Sequence, residues 1–324
     1  MVQLAAVWGS RAPSRVVKRS AGFLLALSLL GAGMATSAAC SPLQRQTLLS
    51  AVPTSAQRRY PTVPRDPRRT ALLLAELEGA LREPSTSAAA LPELAHRQQV
   101  IYRVLSSDSQ RSAAVLRHMP ARWRSVAERH LAARRAFLSM SKTKPTQVPA
   151  WRIIQPQPLD SLLAHYRKAE AATGIAWEVL AAVNLVETGM GRIDGVSVAN
   201  AQGPMQFLPT TWAERGIGRG DIRNPHDAIQ AAARYLVRRG GLKNIRRGLW
   251  GYNNSDHYGD AVLLYASLIR EDPRAVVGLY HWEIHYNAQQ GDLWLPVGYR
   301  QLKPLSVDRY LQLHPGSAPP RTPG

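Results

Sequence analysis

The segment at 175–191, IAWEVLAAVNLVETGMG, restricts what this chain can fold into more than any other stretch. Apolar residues fill it at helical spacing, and Leu180, Val183, Asn184 and Glu187 share one face by the i, i+3, i+4, i+7 rule. A helix this apolar reads as buried, so the rest of the chain has to cover it. Glu187 sits near its C-terminal end, where burial and the negative end of the helix dipole both disfavour a charged carboxylate. A carboxyl held protonated toward neutrality suits a general acid. The plainer alternative is an ion pair with Arg192 or a turn cap.

Covalent cross-links cannot help this fold, because the 324 residues contain one cysteine, Cys40. That cysteine closes a segment at 1–40 in which Arg11, Arg15, Lys18 and Arg19 precede AGFLLALSLLGAGMATSAAC. A basic start, a short apolar run and small residues after it form a signal-peptide layout, with an uncleaved N-terminal anchor as the alternative. SAAC is similar to a bacterial lipoprotein processing site and makes Cys40 a candidate lipidation residue, although Ser37 stands where Leu is common. This layout implies export to the cell envelope, with a membrane tether if Cys40 is lipidated.

Residues 41–70 are rich in Pro, Arg, Ser and Gln and read as a disordered tether. Residues 71–145 read as a helical accessory region whose helices are bounded by Pro84, Pro92 and Pro120. Over 41–150 there are 18 Lys and Arg against 7 Asp and Glu, and the whole chain carries a formal +19. Such charge favours polyanionic surroundings, or only a solvated face. No aromatic platform or zinc-knuckle spacing accompanies it, so nucleic acid is not an expected partner. Protein partners are not legible.

From Asp160, taken as a helix cap, to Gly174 a helix precedes the apolar one. Short and long helices follow from Pro209 and from Pro225, the latter capped by Asn224 or Asp221, and another runs through HYGDAVLLYASLI. In LYHWEIHYNAQQGDLWLPVGY the period changes to alternation around a turn, which predicts a hairpin within a segment at 281–324. A strand there keeps His281 and His285 from ligand spacing, and no metal or cofactor is expected.

Two further segments carry polar chemistry. ANAQGPMQFLPTTW holds Gly203, which could let backbone approach a ligand, together with Met205 and Gln206, whose amide both donates and accepts. WGYNNSDHYGDAV crowds Tyr252, Asn253, Asn254, Ser255 and Tyr258 together, with Trp250 available to lie against a sugar ring. Separately, each reads equally well as a turn or a helix cap.

Together and in order, ET at Glu187–Thr188, GPMQ at Gly203–Gln206 and YN at Tyr252–Asn253 resemble the lytic transglycosylases of bacterial cell walls, relatives of goose-type lysozyme. The continuations FLPTTW, DAIQAAARYL and YNNSDHYGDAVLLYA are most similar to the membrane-bound lytic murein transglycosylase B-like branch. The resemblance covers roughly 160–270. Pro204 departs from it, since many members have Leu there.

The resemblance implies a mainly α architecture: a lysozyme-like helical catalytic domain over 150–280, with a groove for peptidoglycan strands. It makes Glu187 the acid/base, Gln206 the groove glutamine, and Tyr252 with Asn253 the pair beside the scissile sugar. Thr188, Gly203, Met205, Trp250, Ser255 and Tyr258 become candidate substrate-binding residues around them. The glycines of TGMG would leave room for a glycan chain. The implied reaction closes a 1,6-anhydro ring with help from the substrate's own N-acetyl group, an exception to two-carboxylate glycosidases. A muramidase using water, and a wall-binding scaffold lipoprotein with little catalysis, are the alternatives.

Overall fold

The computed structural model describes residues 58–141 and 143–320; the leader and Cys40 lie outside the described residues. Among these, twelve α-helices alternate with a few short strands. Helix α1 (Pro67–Arg82) starts where Asp66 accepts from the Arg69 N–H and Pro67 takes the first turn, and it buries Leu74, Leu77 and Leu81. Helices α2 (Leu91–Ser106), α3 (Ser109–His118) and α4 (Ala121–Ser139) follow. They form no separate body, because Leu74, Leu105, Leu131 and Phe137 share one apolar core with Leu180, Val183 and Tyr265.

Helix α5 (Leu159–Thr173) is capped by Pro158, with Asp160 in its first turn rather than at the cap, and Gly174 closes it. Every residue of helix α6 (Trp177–Thr188) is buried except Glu187. Its neighbours are the long helix α10 (Asp256–Glu271) and α5; α10 packs in turn against α4 on its other side. The accessory layer therefore supports the helix that supports α6.

Helices α7 (Pro209–Trp212), α8 (Pro225–Arg238) and α9 (Ile245–Asn253) surround this centre, and Asn224, not Asp221, caps α8 through the Asp227 N–H. Helix α9 has no counterpart in the sequence reading, which treats its C-terminal half as a polar turn. Its terminus is Asn254, a non-glycine residue in the left-handed region at φ 46°.

After α11 (Ala275–Tyr280) the expected hairpin forms, with β4 (Ile284–Ala288) antiparallel to β5 (Gly291–Leu295). His281 ends α11 and only His285 lies in the strand. Two minor pairs, β1 (Gln147–Val148) with β6 (Leu305–Ser306) and β2 (Arg152–Ile153) with β3 (Ile193–Asp194), join the hairpin and α12 (Val307–Leu313) in a second core around Trp151, Tyr286, Leu293 and Tyr310. Residues 281–320 of the expected C-terminal segment are thus mostly packed structure, and their Trp and Tyr residues are buried.

The expected tether also ends early. Tyr60 is buried, and its hydroxyl donates to Asp292 of β5 at 2.6 Å. Arg58 pairs with Glu93 and Glu283. One aromatic and one guanidinium with fixed partners order a stretch whose average composition suggested none. Asp292 also accepts from Arg103 Nε at 2.7 Å and contacts His285 Nδ1 at 2.9 Å, and these cationic or donating neighbours hold its carboxyl well below the usual carboxylate range against the effect of burial. This buried network ties the N-terminal segment, α2 and the hairpin together.

Candidate active site

Glu187 is the one side chain of α6 that reaches the surface. Helix α6 ends one residue later at Thr188, because Gly189 adopts the left-handed conformation at φ 62°. A Cβ at Gly189 would lie 2.6 Å from Ile284 Cδ1, so this glycine admits the hairpin rather than a glycan strand. Arg192 turns away and donates to the Tyr280 carbonyl at 2.8 Å, which removes the expected alternative of a Glu187–Arg192 pair.

The partner of Glu187 is Tyr258, whose hydroxyl donates to Oε1 at 2.7 Å. Burial raises the Glu187 carboxyl to about 7, with the Tyr258 hydrogen bond opposing. Burial and the nearby carboxylate both push the Tyr258 hydroxyl well up, so it remains a donor. Tyr258 is fully buried, and it supports the acid instead of meeting substrate as expected. Ser255 is likewise structural: its Oγ accepts from the Tyr258 N–H and starts α10, which fixes where the tyrosine projects.

The ring of Tyr252 stacks on that of Tyr258 at 6.2 Å and 5°. Its hydroxyl donates to the Met205 carbonyl at 2.8 Å, so α9 and the loop at 203–206 are joined beside the acid. The same loop is anchored to α6, since the Pro204 carbonyl accepts from Thr188 Oγ1 at 2.6 Å and from Asn184 Nδ2 at 2.8 Å. Tyr166 in turn donates to Asn184 Oδ1 at 2.7 Å. Thr188 and Asn184 lie one turn apart, and together they set the loop's height against the helix.

Several expected substrate contacts therefore become internal. Thr188 and Met205 are fully buried. Gly203 (φ 71°) faces protein, since a Cβ there would collide with the Ile222 carbonyl oxygen. The loop it shapes presents Gln206 in a left-handed conformation at φ 49°, a cost that a non-glycine residue bears only where its surroundings impose it. Gln206 Nε2 donates to the Gly203 carbonyl, while Oε1 has no partner among the described residues.

Gln206 opens onto a cleft of about 330 Å³ lined also by Phe207, Leu208, Thr211, Tyr235, Arg239, Trp250, Tyr252 and Asn254. Trp250 is 50% exposed at its edge. The structure thus unites Gln206, Trp250 and Tyr252 in one cleft, with Asn253 beside them on α9. Asn254, named in the polar cluster of the sequence, also lines it, whereas Phe207, Leu208, Thr211, Tyr235 and Arg239 are lining residues that sequence reasoning did not single out. None of these five carried a local signal that it would meet the cleft.

Other carboxylates are engaged elsewhere. Asp194 pairs with Arg152 and Arg223, Asp227 accepts from the Asp221 N–H and contacts His226, and Asp256 lies in the exposed first turn of α10. No group of three or more potential metal ligands occurs among the described residues.

Residues 165–257 match the Transglycosylase SLT domain family. The chain is also similar to Membrane-bound lytic murein transglycosylase F of Thiobacillus denitrificans (strain ATCC 25259 / T1), with 26% identity over 145 residues, 45% of this chain and 30% of that relative. The chain thus spans under a third of the relative's length. No solved structure matches significantly. Both matches support the lytic transglycosylases, the level at which the F-named relative and the B-like resemblance agree. The family match contains Glu187, Gln206 and Tyr252 and stops one residue before Tyr258.

Proposed function

We propose that this protein is a peptidoglycan lytic transglycosylase that cleaves the β-1,4 bond between N-acetylmuramic acid and N-acetylglucosamine and leaves 1,6-anhydro ends. The observation that carries the reading is a single carboxyl, Glu187, raised to about 7 and held by Tyr258, whose ring stacks on Tyr252 of an aromatic and amide-lined cleft. Such a group is an acid near neutrality and a competent base once it has given up its proton.

In this mechanism Glu187 protonates the oxygen leaving C1 of the muramic residue through Oε2, since Oε1 is engaged by Tyr258. The C–O bond breaks with the substrate's N-acetyl oxygen supporting C1. The Tyr258 donor favours the carboxylate that results. Glu187 then takes the proton of the muramic 6-hydroxyl as O6 bonds to C1 and displaces the acetamido oxygen, so the enzyme's proton is restored and no water is consumed. Among the described residues only burial and Tyr258 perturb Glu187, with no second carboxylate, which agrees with a route that needs one acid.

Gln206, Trp250, Tyr252 and Asn253 are the substrate-binding residues in this reading. The site of action is the cell envelope, reached through the leader at 1–40 and with Cys40 as a lipid attachment point. No helix among the described residues is long and apolar enough to cross a membrane.

Digestion of purified sacculi with wild-type and Glu187→Gln protein tests the proposal. Mass spectrometry should show anhydro-ended muropeptides from wild type and none from the variant. Products heavier by one water would make the enzyme a muramidase, and equal release by both proteins would remove Glu187 from the chemistry.

A further inference from the structure

Arg239 follows α8 directly, and its stem crosses the face of α9 at Gly251. A Cβ at Gly251 would lie 2.8 Å from both Cβ and Cγ of Arg239 and 3.0 Å from its Cδ. Gly251 is helical, so its backbone does not require glycine; the missing side chain makes the path for the arginine. That path ends in the cleft beside Tyr252 and Trp250.

The guanidinium is held there. Its carbon lies 4.7 Å from the centroid of the Tyr235 ring, and Nη2 donates to the Tyr235 hydroxyl at 2.7 Å. Its counter-charge is shared, because Glu214 lies 3.2 Å from Arg238 and 3.7 Å from Arg239. Two guanidiniums thus divide one carboxylate, and no Asp or Glu among the described residues lines the cleft. A cleft that binds only neutral sugar has no use for an incompletely neutralised cation above an aromatic floor.

We infer that the cleft is a subsite for a sugar bearing a carboxylate, and that Arg239 is the residue that selects for that carboxylate. The inference rests on the proposed action on peptidoglycan, whose muramic residues carry an ether-linked carboxyl group that is either free or extended by a peptide with carboxylates of its own. Arg239 would pair with one of these while Trp250 and Tyr252 face the ring. The held geometry presents the fork to an incoming anion at small further cost in side-chain order.

Four full-length proteins test this: wild type, Arg239→Met, which keeps the stem's bulk, Arg239→Lys, which keeps the charge, and Glu214→Gln, which removes the shared counter-charge. Each is also made with Glu187→Gln so that binding is measured without turnover. The ligands are peptide-bearing glycan fragments, the same fragments stripped of peptide, and uncharged N-acetylglucosamine oligomers. Arg239→Met should weaken binding to at least one carboxylate-bearing ligand about tenfold more than binding to the uncharged oligomers. In the active background the loss should fall on KM more than on kcat, and Arg239→Lys should restore part of it. Glu214→Gln should tighten binding of the same ligand, and this gain should shrink at high salt.

If the Arg239→Met loss appears on both carboxylate ligands, the free ether-linked carboxyl suffices; if it appears only on peptide-bearing fragments, the peptide supplies the anion. Equal weakening on charged and uncharged ligands, or none on either, would overturn the inference. Because binding is read in the Glu187→Gln background, failure of the transglycosylase reading would show separately, as wild-type protein that binds these ligands but releases no anhydro products.

Discussion

The Tyr258 hydroxyl donates to Oε1 of Glu187 at 2.7 Å, and it is the one side chain that opposes the rise in that carboxyl's pKa. Removing the donor should therefore raise the pKa further. In Tyr258→Phe the alkaline limb of the pH–activity profile, where the acid form is lost, should move upward by about one pH unit, as expected for a hydrogen bond to a charged group. Activity at the optimum should fall about tenfold to a hundredfold, because the base formed in the first step of the proposed mechanism loses its support. An alkaline limb that stays in place would show that Tyr258 does not act on Glu187.

The same raised pKa makes a stability prediction. Burial places Glu187 near 7 in the folded protein against an ordinary value of 4.5, so the folded state resists ionising it. The stabilisation is complete below about pH 4.5 and is lost as pH rises through about 7. Glu187→Gln cannot ionise, so its stability relative to wild type should increase across that window, by as much as about 3 kcal/mol at pH 8. Urea unfolding at pH 5 and pH 8 would check it, and a constant difference between the two proteins would contradict the burial argument.

How far the sequence could be read depended on whether a helix had one wet face. Glu187 was legible because a carboxylate stands out at the end of an apolar run, and Gly174, Gly189 and Asn224 act locally as caps. Thr188 was not legible, because all of α6 except Glu187 is buried and periodicity then cannot say which polar atom faces a cleft, and Met205 lies in the loop at 203–206, where no period applies. Gly203 looked like an opening to ligand because nothing local reports that Ile222 occupies that space. Arg239 reaches the cleft only because α8 and α9 pack side by side, a tertiary fact with no signal in its own neighbourhood.

Thr188 illustrates what replaces the substrate contact expected of it. Its hydroxyl donates to the Pro204 carbonyl and accepts from the Gly191 N–H at 3.0 Å, so Thr188→Val leaves the half-buried Gly191 donor without its partner. The cost should be about 2 kcal/mol, read as a lower midpoint in urea. Activity should fall as well, since the loop carrying Gln206 loses one of its two ties to α6, and Thr188→Ser should restore both properties. A valine variant with full stability and activity would show that the Asn184 bond alone positions the loop.

The last prediction concerns a site remote in sequence from the acid. Asp292 neutralises Arg103, a buried guanidinium, and also accepts from Tyr60, so Asp292→Asn leaves that cation without its counter-charge at nearly unchanged volume. Breaking such a pair from one side should cost about 3–5 kcal/mol at pH 7. Because the Asp292 carboxyl lies below its ordinary 3.8 in the folded protein, its contribution is present above that value and is lost as pH falls through the depressed pKa. The gap between wild type and variant should therefore narrow on acidification, which urea unfolding at pH 7 and pH 3 would measure. The consequence should reach the active site, since Asp292 anchors the hairpin whose Ile284 packs against Gly189 just beyond Glu187. Asp292→Asn assayed well below its unfolding temperature should accordingly lose activity per folded molecule, and full activity there would separate the hairpin from the acid it adjoins.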